Sequence, residues 1–268
     1  MTEMKFDEKT ISDAIHTKWA GKTVHFVEEV DSTNEWAKKL GKDGAEHGTL
    51  AVADYQSAGK GRLGRKWTAP SGSCVTMSIL LRPDFEPQYA PMLTVVMGLS
   101  VAQAAQKIGV ETLIKWPNDV VVSRKKICGI LTEMSVEEGN IRYVVSGVGI
   151  NVNLDTIPDE LADKATSLYL ETGKKFDRNE MIAYVMEAFE QNYEKFAKTC
   201  DLTFLQEDYN RMLANFGQPV RVLDTIAPYE GIARGIDEKG ELIVEKTDGT
   251  RICVSAGEVS VRGLYSYV

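Results

Sequence analysis

At 268 residues, with 43% hydrophobic and 26% charged residues, the chain has the make-up of an ordinary soluble globular protein: one large domain, or one medium domain with a small appendage. No apolar run approaches the roughly 20 residues of a membrane span, and the polar, acidic start MTEMKFDEKTISDAIH is unlike a secretory signal. A formal net charge of -8 excludes a whole-chain electrostatic footprint for nucleic acid, so any bound anion must be held by a local cluster.

TISDAIHTKWAG reads as a short amphipathic helix closed by Gly21, and Thr23–Val30 as a strand. DSTNEWAKKLG follows as a helix, with Ser32 and Glu35 at capping-box spacing and Gly41 as its stop. Thr49–Gln56 alternates as a strand that ends at the glycine-rich basic stretch GKGRLGRK. CVTMSILLRP is a β run terminated by Pro83, and residues 91–108 carry apolar residues on a helical period, a core helix under the sheet. The centre is strand-rich: Pro117 holds the chain extended before Asn118-Asp119, and turns are expected at Lys125-Lys126 and Glu138-Gly139-Asn140. Residues 177–198 form an amphipathic helix with Asp177 as N-cap, and a further helix covers Asp201 to Leu213. From Phe216 the texture changes to five short β segments, with turns at Asp237–Gly240 and Asp248-Gly249, which predicts a barrel-like β domain of about fifty residues. The expected division is 1–215 and 216–268.

Cys74, Cys128, Cys200 and Cys253 are widely spaced without a CxxC pair, the pattern of idle thiols in a reducing cytosol. His16, His25 and His47 lack a Cys or His neighbour at metal-ligand spacing, so no metal fixed by protein ligands is expected.

Four clusters carry candidate chemistry. GKGRLGRK lacks the Ser/Thr of a Walker A loop, but Gly59, Gly61 and Gly64 let the backbone approach an anion, and Arg62 and Arg65 can fork onto its oxygens. KWPNDVVVSRKKICGI places Lys115, Asn118, Asp119 and Lys126 around a short β segment. SGVGINVN sets Gly147, Gly149 and Asn151 on an apolar β run, where glycines mark a bulge or a ligand lying against the sheet. Ser32-Thr33-Asn34 opens a helix. Taken singly, a solvated loop, a strand-turn-strand, helix-on-sheet crowding and a helix cap explain each equally well.

Taken jointly, STN, YQSAGKGRLGRKW, KWPNDVVVSRKKICGI and GVGINVN resemble the biotin–protein ligase family in identity, order and spacing, from about Glu28 to the C-terminus. The resemblance implies an α+β fold: a central mixed/antiparallel sheet flanked by helices, class II synthetase-like, plus a small C-terminal β-barrel. It implies activation of biotin with ATP and Mg²⁺ to biotinyl-5'-AMP, then transfer to one lysine of a biotin carboxyl carrier domain. On the family pattern Ser32, Thr33, Asn34 and Gln56 face the ureido head; Lys60, Gly61, Arg62, Lys126 and Gly129 complete the biotin site; and Gly59, Arg62, Arg65, Lys115, Asn118, Lys126 and Asn151 face ATP or the adenylate. Arg62 and Lys126 are the expected catalytic cations, and Asp119 the group that accepts the incoming lysine's proton. Trp67 packs over the closed loop. Mg²⁺ arrives on ATP, with no metal ligand from the protein.

Two departures stand out. Lys60 and Leu63 stand where several relatives carry arginine or another basic residue, and Lys keeps the charge without the bidentate fork. The STN motif follows only 31 residues, too few for the DNA-binding domain of some relatives. The expectation is therefore a cytoplasmic ligase without repressor activity, with no nucleic-acid or membrane partner, and with a homodimer open as an option. Lipoate or octanoyl transfer within the same superfamily, and a non-catalytic biotin sensor, are the rival readings.

Overall fold

The structure, a computed structural model, describes residues 5–223, 228–255 and 260–263. A seven-stranded sheet is its centre, built from β1 (Val24–Val30), β2 (Leu50–Gln56), β3 (Cys74–Leu81), β4 (Leu113–Lys115), β5 (Asp119–Val122), β6 (Lys125–Glu137) and β7 (Asn140–Asn151). Their order is β1-β2-β3-β7-β6-β5-β4. The β1–β2 pair is parallel and the other neighbours are antiparallel, so the sheet is mixed, as expected.

Period-two alternation decides which helix covers which face. Val75, Met77, Ile79 and Leu81 of β3 enter the main core with Val144, Val148 and Ile150 of β7. There they meet α1 (Glu8–Ala14), α3 (Leu93–Lys107), Leu168 at the start of the short α4 (Leu168–Thr172), and α5 (Arg178–Thr199). Nearly every side chain of α3 is buried, which explains why its sequence is apolar almost all round. Leu80, Tyr143 and Val145 point the other way and pack with Ala37 and Ala51 under α2 (Thr33–Lys42). Tyr143, Val145, Gly147 and Gly149 share that face of β7. The body of the helix covers the first pair, Asn34 of its first turn sits over Gly147, and Gly149 is left to another roof.

A second sheet holds β8 (Pro219–Leu223), β9 (Tyr229–Ile236), β10 (Leu242–Glu245), β11 (Arg251–Val254) and β12 (Ser260–Gly263), all antiparallel in the order β11-β10-β9-β8-β12. Among the described residues β11 and β12 are its edges. Glu258 and Val259, the start of the last predicted segment, lie outside the described residues, as does Asp224. Gln206 of α6 (Gln206–Met212) donates to Ile236 O at 2.6 Å, and Asn210 of the same helix accepts from Ile236 N at 2.8 Å. Indole Nε1 of Trp116, from the β4–β5 turn, donates to Gly240 O at 2.9 Å.

Several local expectations are corrected. The first helix begins earlier, capped by Asp7, and ends at Ala14, well before Gly21. Glu190 of α5 explains the early stop: its carboxylate accepts from the N–H groups of Lys18, Trp19 and Ala20, pulling that stretch out of helical register. Gly21 is left-handed at φ 75° but serves the turn into β1, its N–H donating to Gly48 O. Gly41 lies inside α2, where a Cβ would stand 2.9 Å from Leu80 Cδ1, and Gly44 takes the left-handed turn at φ 93°. The capping box does not form, because Glu35 turns to Lys38 and Lys60 while Asp31 Oδ1 accepts from Ser32 N. Trp116–Pro117 is cis, and KWPND is a tight turn with Lys115 and Asp119 paired across it, not an extended run. The next turn falls at Ser123-Arg124, both at positive φ, so Lys125 and Lys126 begin β6. The helix expected over 201–213 spans only Gln206–Met212. No helix among the described residues is long and apolar enough to cross a membrane.

Candidate active site

The uncovered face of β6 and β7 floors a cleft with about 450 Å³ of space, the open solvent at its mouth included. Gly149 pairs with Gly129 across the strands, and Gly147 with Leu131, so the floor is glycine on one strand and glycine then leucine on the next. Absent side chains leave room for a flat or slender ligand against the backbone. Neighbouring groups already use that room. A Cβ on Gly147 would stand 2.0 Å from Asn34 Oδ1, and one on Gly149 2.4 Å from Trp67 Cε2.

One wall is the start of α2. Ser32 is its N-cap residue, yet its side chain does not bond the helix backbone, and it lines the cleft. Gln56 Oε1, at the end of β2, accepts from Thr33 N at 2.8 Å and Thr33 Oγ1 at 3.1 Å. Ser78 Oγ reaches Asn34 Oδ1 at 2.7 Å, while Asn34 Nδ2 donates to Leu131 O and to Glu133 Oε2. Asn34 is thereby locked in place.

The roof is the basic stretch between β2 and β3. It folds back as a small hairpin: Lys60 bridges Lys66, Gly61 N donates to Arg65 O at 2.7 Å, and Trp67 N donates to Gly59 O at 2.9 Å. Leu63 sits at its tip at φ 57°, 70% exposed. The Trp67 ring lies on the glycine floor, with Lys126 Nζ 5.8 Å from its centroid. Its Nε1 is buried without a hydrogen-bond partner among the described residues.

Positive charge collects at the far end. Arg62 is half-buried and its Nη1 donates to Asn118 Oδ1 at 2.8 Å; burial lowers its pKa from the usual arginine value. Lys126 Nζ pairs with Asp119 Oδ1 at 2.6 Å, and both carbons of that pair's backbone lie on adjacent strands β5 and β6. Among the described residues that line the cleft there is no Asp or Glu, and Asp119 stands behind Lys126. Two cations, a polar wall and a bare floor make a site for an anion joined to a neutral hydrogen-bonding group.

The sequence pattern of the Biotin/lipoate A/B protein ligase family matches residues 26–151, and that of the Biotin protein ligase C terminal domain matches residues 216–262. The bifunctional ligase/repressor BirA of Bacillus subtilis is 37% identical over 94% of this chain and 78% of its own length. The biotin–[acetyl-CoA-carboxylase] ligase of Mycobacterium tuberculosis is 33% identical over 94% of each chain. The chain belongs to the biotin protein ligase family. In space, the biotin protein ligase of Aquifex aeolicus, solved in complex with biotin and ATP, superposes with a TM-score of 0.78 at 33% identity, over 90% of this chain and 99% of that one.

Of the residues expected from the sequence to serve a biotin protein ligase, Ser32, Thr33, Asn34, Gln56, Lys60, Gly61, Arg62, Asn118, Lys126 and Gly129 line one cleft. Asp119 joins them through Lys126. Gly59 supports the hairpin, where a Cβ would meet Trp67 O at 2.4 Å. Arg65 is exposed on the hairpin's return, and Lys115 is buried across the turn from Asp119. Asn151 is not brought into the cleft. It is buried at the end of β7, where Nδ2 donates to Thr166 O at 2.9 Å and Oδ1 lies 3.6 Å from Cys74 Sγ. The sequence reading missed Leu131, which shares the cleft face of β6 with Gly129, whereas Ile130 and Val148 belong to the main core. Alternation from Gly129 along β6 was the signal for Leu131.

Proposed function

We propose that this chain is an ATP-dependent biotin–protein ligase: it activates biotin as biotinyl-5'-AMP and transfers it to one lysine of a biotin carboxyl carrier domain. The observation that carries this reading is the convergence of Arg62 and Lys126 at one end of a glycine-floored cleft whose other end is the polar wall Ser32, Thr33 and Gln56. A bicyclic urea needs donors and acceptors together, and hydroxyls with a primary amide supply both. Asn34 holds that wall in register, and Gly129 and Leu131 leave a track for the aliphatic tail.

In the first half-reaction the biotin carboxylate attacks the α-phosphorus of ATP, and the bond to the departing pyrophosphate breaks. Both reactants are anions. Arg62, Lys126 and the backbone N–H groups near Gly61 lower their repulsion and oppose the charge that grows in the transition state. Arg65 serves the outer phosphates, and Lys115 supports the phosphate side. Asn118 fixes Arg62 beforehand and faces the adenylate. Asp119, the carboxylate behind Lys126, is already paired; Mg²⁺ would be carried by the triphosphate and would neutralise charge on pyrophosphate.

In the second half-reaction the lysine amine attacks the acyl carbon, the C–O bond to AMP breaks, and the amine's proton passes to Asp119. Lys126 turning from Asp119 to the phosphate would leave that carboxylate ready for the incoming ammonium. The basic hairpin with Trp67 keeps water from the mixed anhydride meanwhile. Residues 1–215 carry this chemistry and 216–268 form the appended β domain. The described cysteines are free thiols, in keeping with a reducing cytoplasm.

Biotin-dependent exchange of labelled pyrophosphate into ATP, followed by labelling of a carrier domain, tests the reading. Absence of biotin-dependent exchange overturns it, and exchange supported by lipoate in place of biotin replaces the substrate.

A further inference from the structure

The basic hairpin is pinned on both banks of the cleft by residues only two apart. On one bank Arg62 reaches Asn118 in the β4–β5 turn at 2.8 Å. On the other, Lys60 Nζ pairs with Glu35 Oε1, in the first turn of α2, at 2.6 Å. Glu35 is shared with Lys38 at 2.9 Å, Lys38 pairs with Glu133 of β6 at 2.6 Å, and Glu133 accepts from the cleft-lining Asn34 at 2.7 Å. Two ammonium groups and two carboxylates alternate along this line, so no member is left uncompensated. The hydrogen bond from Lys60, then that from Lys38, holds the Glu35 carboxyl below the usual carboxylate range.

The two pins differ in what they can do during turnover. In the proposed mechanism Arg62 must exchange Asn118 for a phosphate oxygen, which loosens its hold on that turn at the moment when the reactive anhydride forms. Lys60 faces no such demand, since its ammonium already has a carboxylate partner. We infer that Lys60 and Glu35 are positioning residues: their ion pair holds the hairpin across the cleft while Arg62 changes partners, so that the adenylate stays sheltered. This inference rests on the ligase reading and adds a residue, Glu35, and a role for Lys60 that is not contact with biotin. It also explains why lysine suffices at position 60, since a single carboxylate oxygen needs a point charge and no fork.

An exposed pair of this kind contributes modestly and is weakened by salt. Adenylate formed on the full chain from biotin and ATP, then chased with unlabelled biotin, should be lost about three- to fivefold faster from Lys60→Gln and Glu35→Gln. Lys60→Arg should behave as the parent, and the double change Lys60→Gln with Glu35→Gln should be no worse than either single change, because both remove the same pair. Raising NaCl to about 0.5 M should bring the parent toward the single variants and leave those variants nearly unchanged. A second readout needs no ligand: trypsin should nick the hairpin faster in Glu35→Gln, whose hairpin sequence is untouched. Equal nicking in parent and variant, or a double change whose loss is the sum of the two single losses, overturns the inference. Failure of the parent to form adenylate at all would instead sink the ligase reading, while the nicking rates would still decide whether the pair holds the hairpin.

Discussion

Nη1 of Arg62 and Oδ1 of Asn118 stand 2.8 Å apart, and the other end of the same amide, Nδ2, donates to Ile130 O at 3.1 Å. Asn118 is therefore oriented by β6 before it orients Arg62. The guanidinium is presented at a fixed place, near enough to the Asp119 carboxylate to feel its charge. Loss of the guanidinium in Arg62→Ala should lower biotin-dependent pyrophosphate exchange by on the order of 10²-fold or more. Asn118→Ala, which removes only the orienting contact, should cost about tenfold. Equal effects would mean that Asn118 touches the reacting atoms itself.

Asp119 gives a different signature. Its partner Lys126 stands 2.6 Å away, so Asp119→Asn leaves the cation in place and removes only the proton acceptor. Single-turnover transfer from preformed adenylate to a carrier domain should slow by about 10²-fold, with pyrophosphate exchange altered by less than about threefold. The defect should shrink as pH rises and the acceptor amine loses its proton unaided. Equal loss of both half-reactions would remove Asp119 from the proton-transfer role.

The glycine floor can be tested one position at a time. Gly147→Ala puts a methyl where Asn34 Oδ1 sits and should break the Ser78–Asn34 contact, weakening biotin binding at least about tenfold and costing about 1–3 kcal/mol of stability. Gly149→Ala strikes the Trp67 ring instead. It should lift the hairpin, seen as faster tryptic nicking, while biotin binding suffers less than in Gly147→Ala. Calorimetric titration with biotin checks both.

His47 predicts a mild acid sensitivity. Its ring packs against Trp19 at 4.5 Å between centroids and accepts from Arg82 N at 3.0 Å, and burial pushes its pKa below 6.5. The unfolded chain therefore binds this proton more readily than the folded one. The contribution is fully present above about pH 6.5 and is lost as pH falls through the folded value. Thermal unfolding followed from pH 7.5 to 5 should show a decline in Tm that is shallower in His47→Gln.

Asp54 and Arg178 form a well-buried pair at 2.5 Å, with side chains 17% and 12% exposed. Asp54 also accepts from Gly72 N and from the Ser71 hydroxyl, so it ties the end of the hairpin segment to the start of α5. Asp54→Ala leaves Arg178 buried without its carboxylate and should cost about 3 kcal/mol in urea unfolding. The pair replaced by Leu and Met should recover much of that loss.

Residues that act through their own neighbours in sequence were legible. The long helix α5 follows from its apolar period and from Asp177, which does cap it through Asn179 N. The core helix and the five short strands of the second sheet likewise fall near where composition puts them. Arg62, Asn118 and Lys126 could be named because glycine, proline and charge were spent at places that packing does not explain. Glu35, Lys38 and Glu133 gave no such signal, because on a helix face or a strand they are ordinary solvated charges until folding sets them side by side. Asn151 continues the glycine pattern of β7 and lies just beyond the residues that line the cleft. The boundary of α1 failed because Glu190, 170 residues from Ala20, ends it.

The hydrogen bond from Trp116 to Gly240 has a structural consequence of its own. Trp116 belongs to the turn that presents Asn118 and Asp119, and it is 3% exposed. The indole thus uses the small sheet as an abutment, and the turn is an arch with one foot on each sheet. Cutting the chain after residue 215 would remove that footing and expose the Trp116 ring to water. The β appendage is masonry of the catalytic turn as much as a module in its own right.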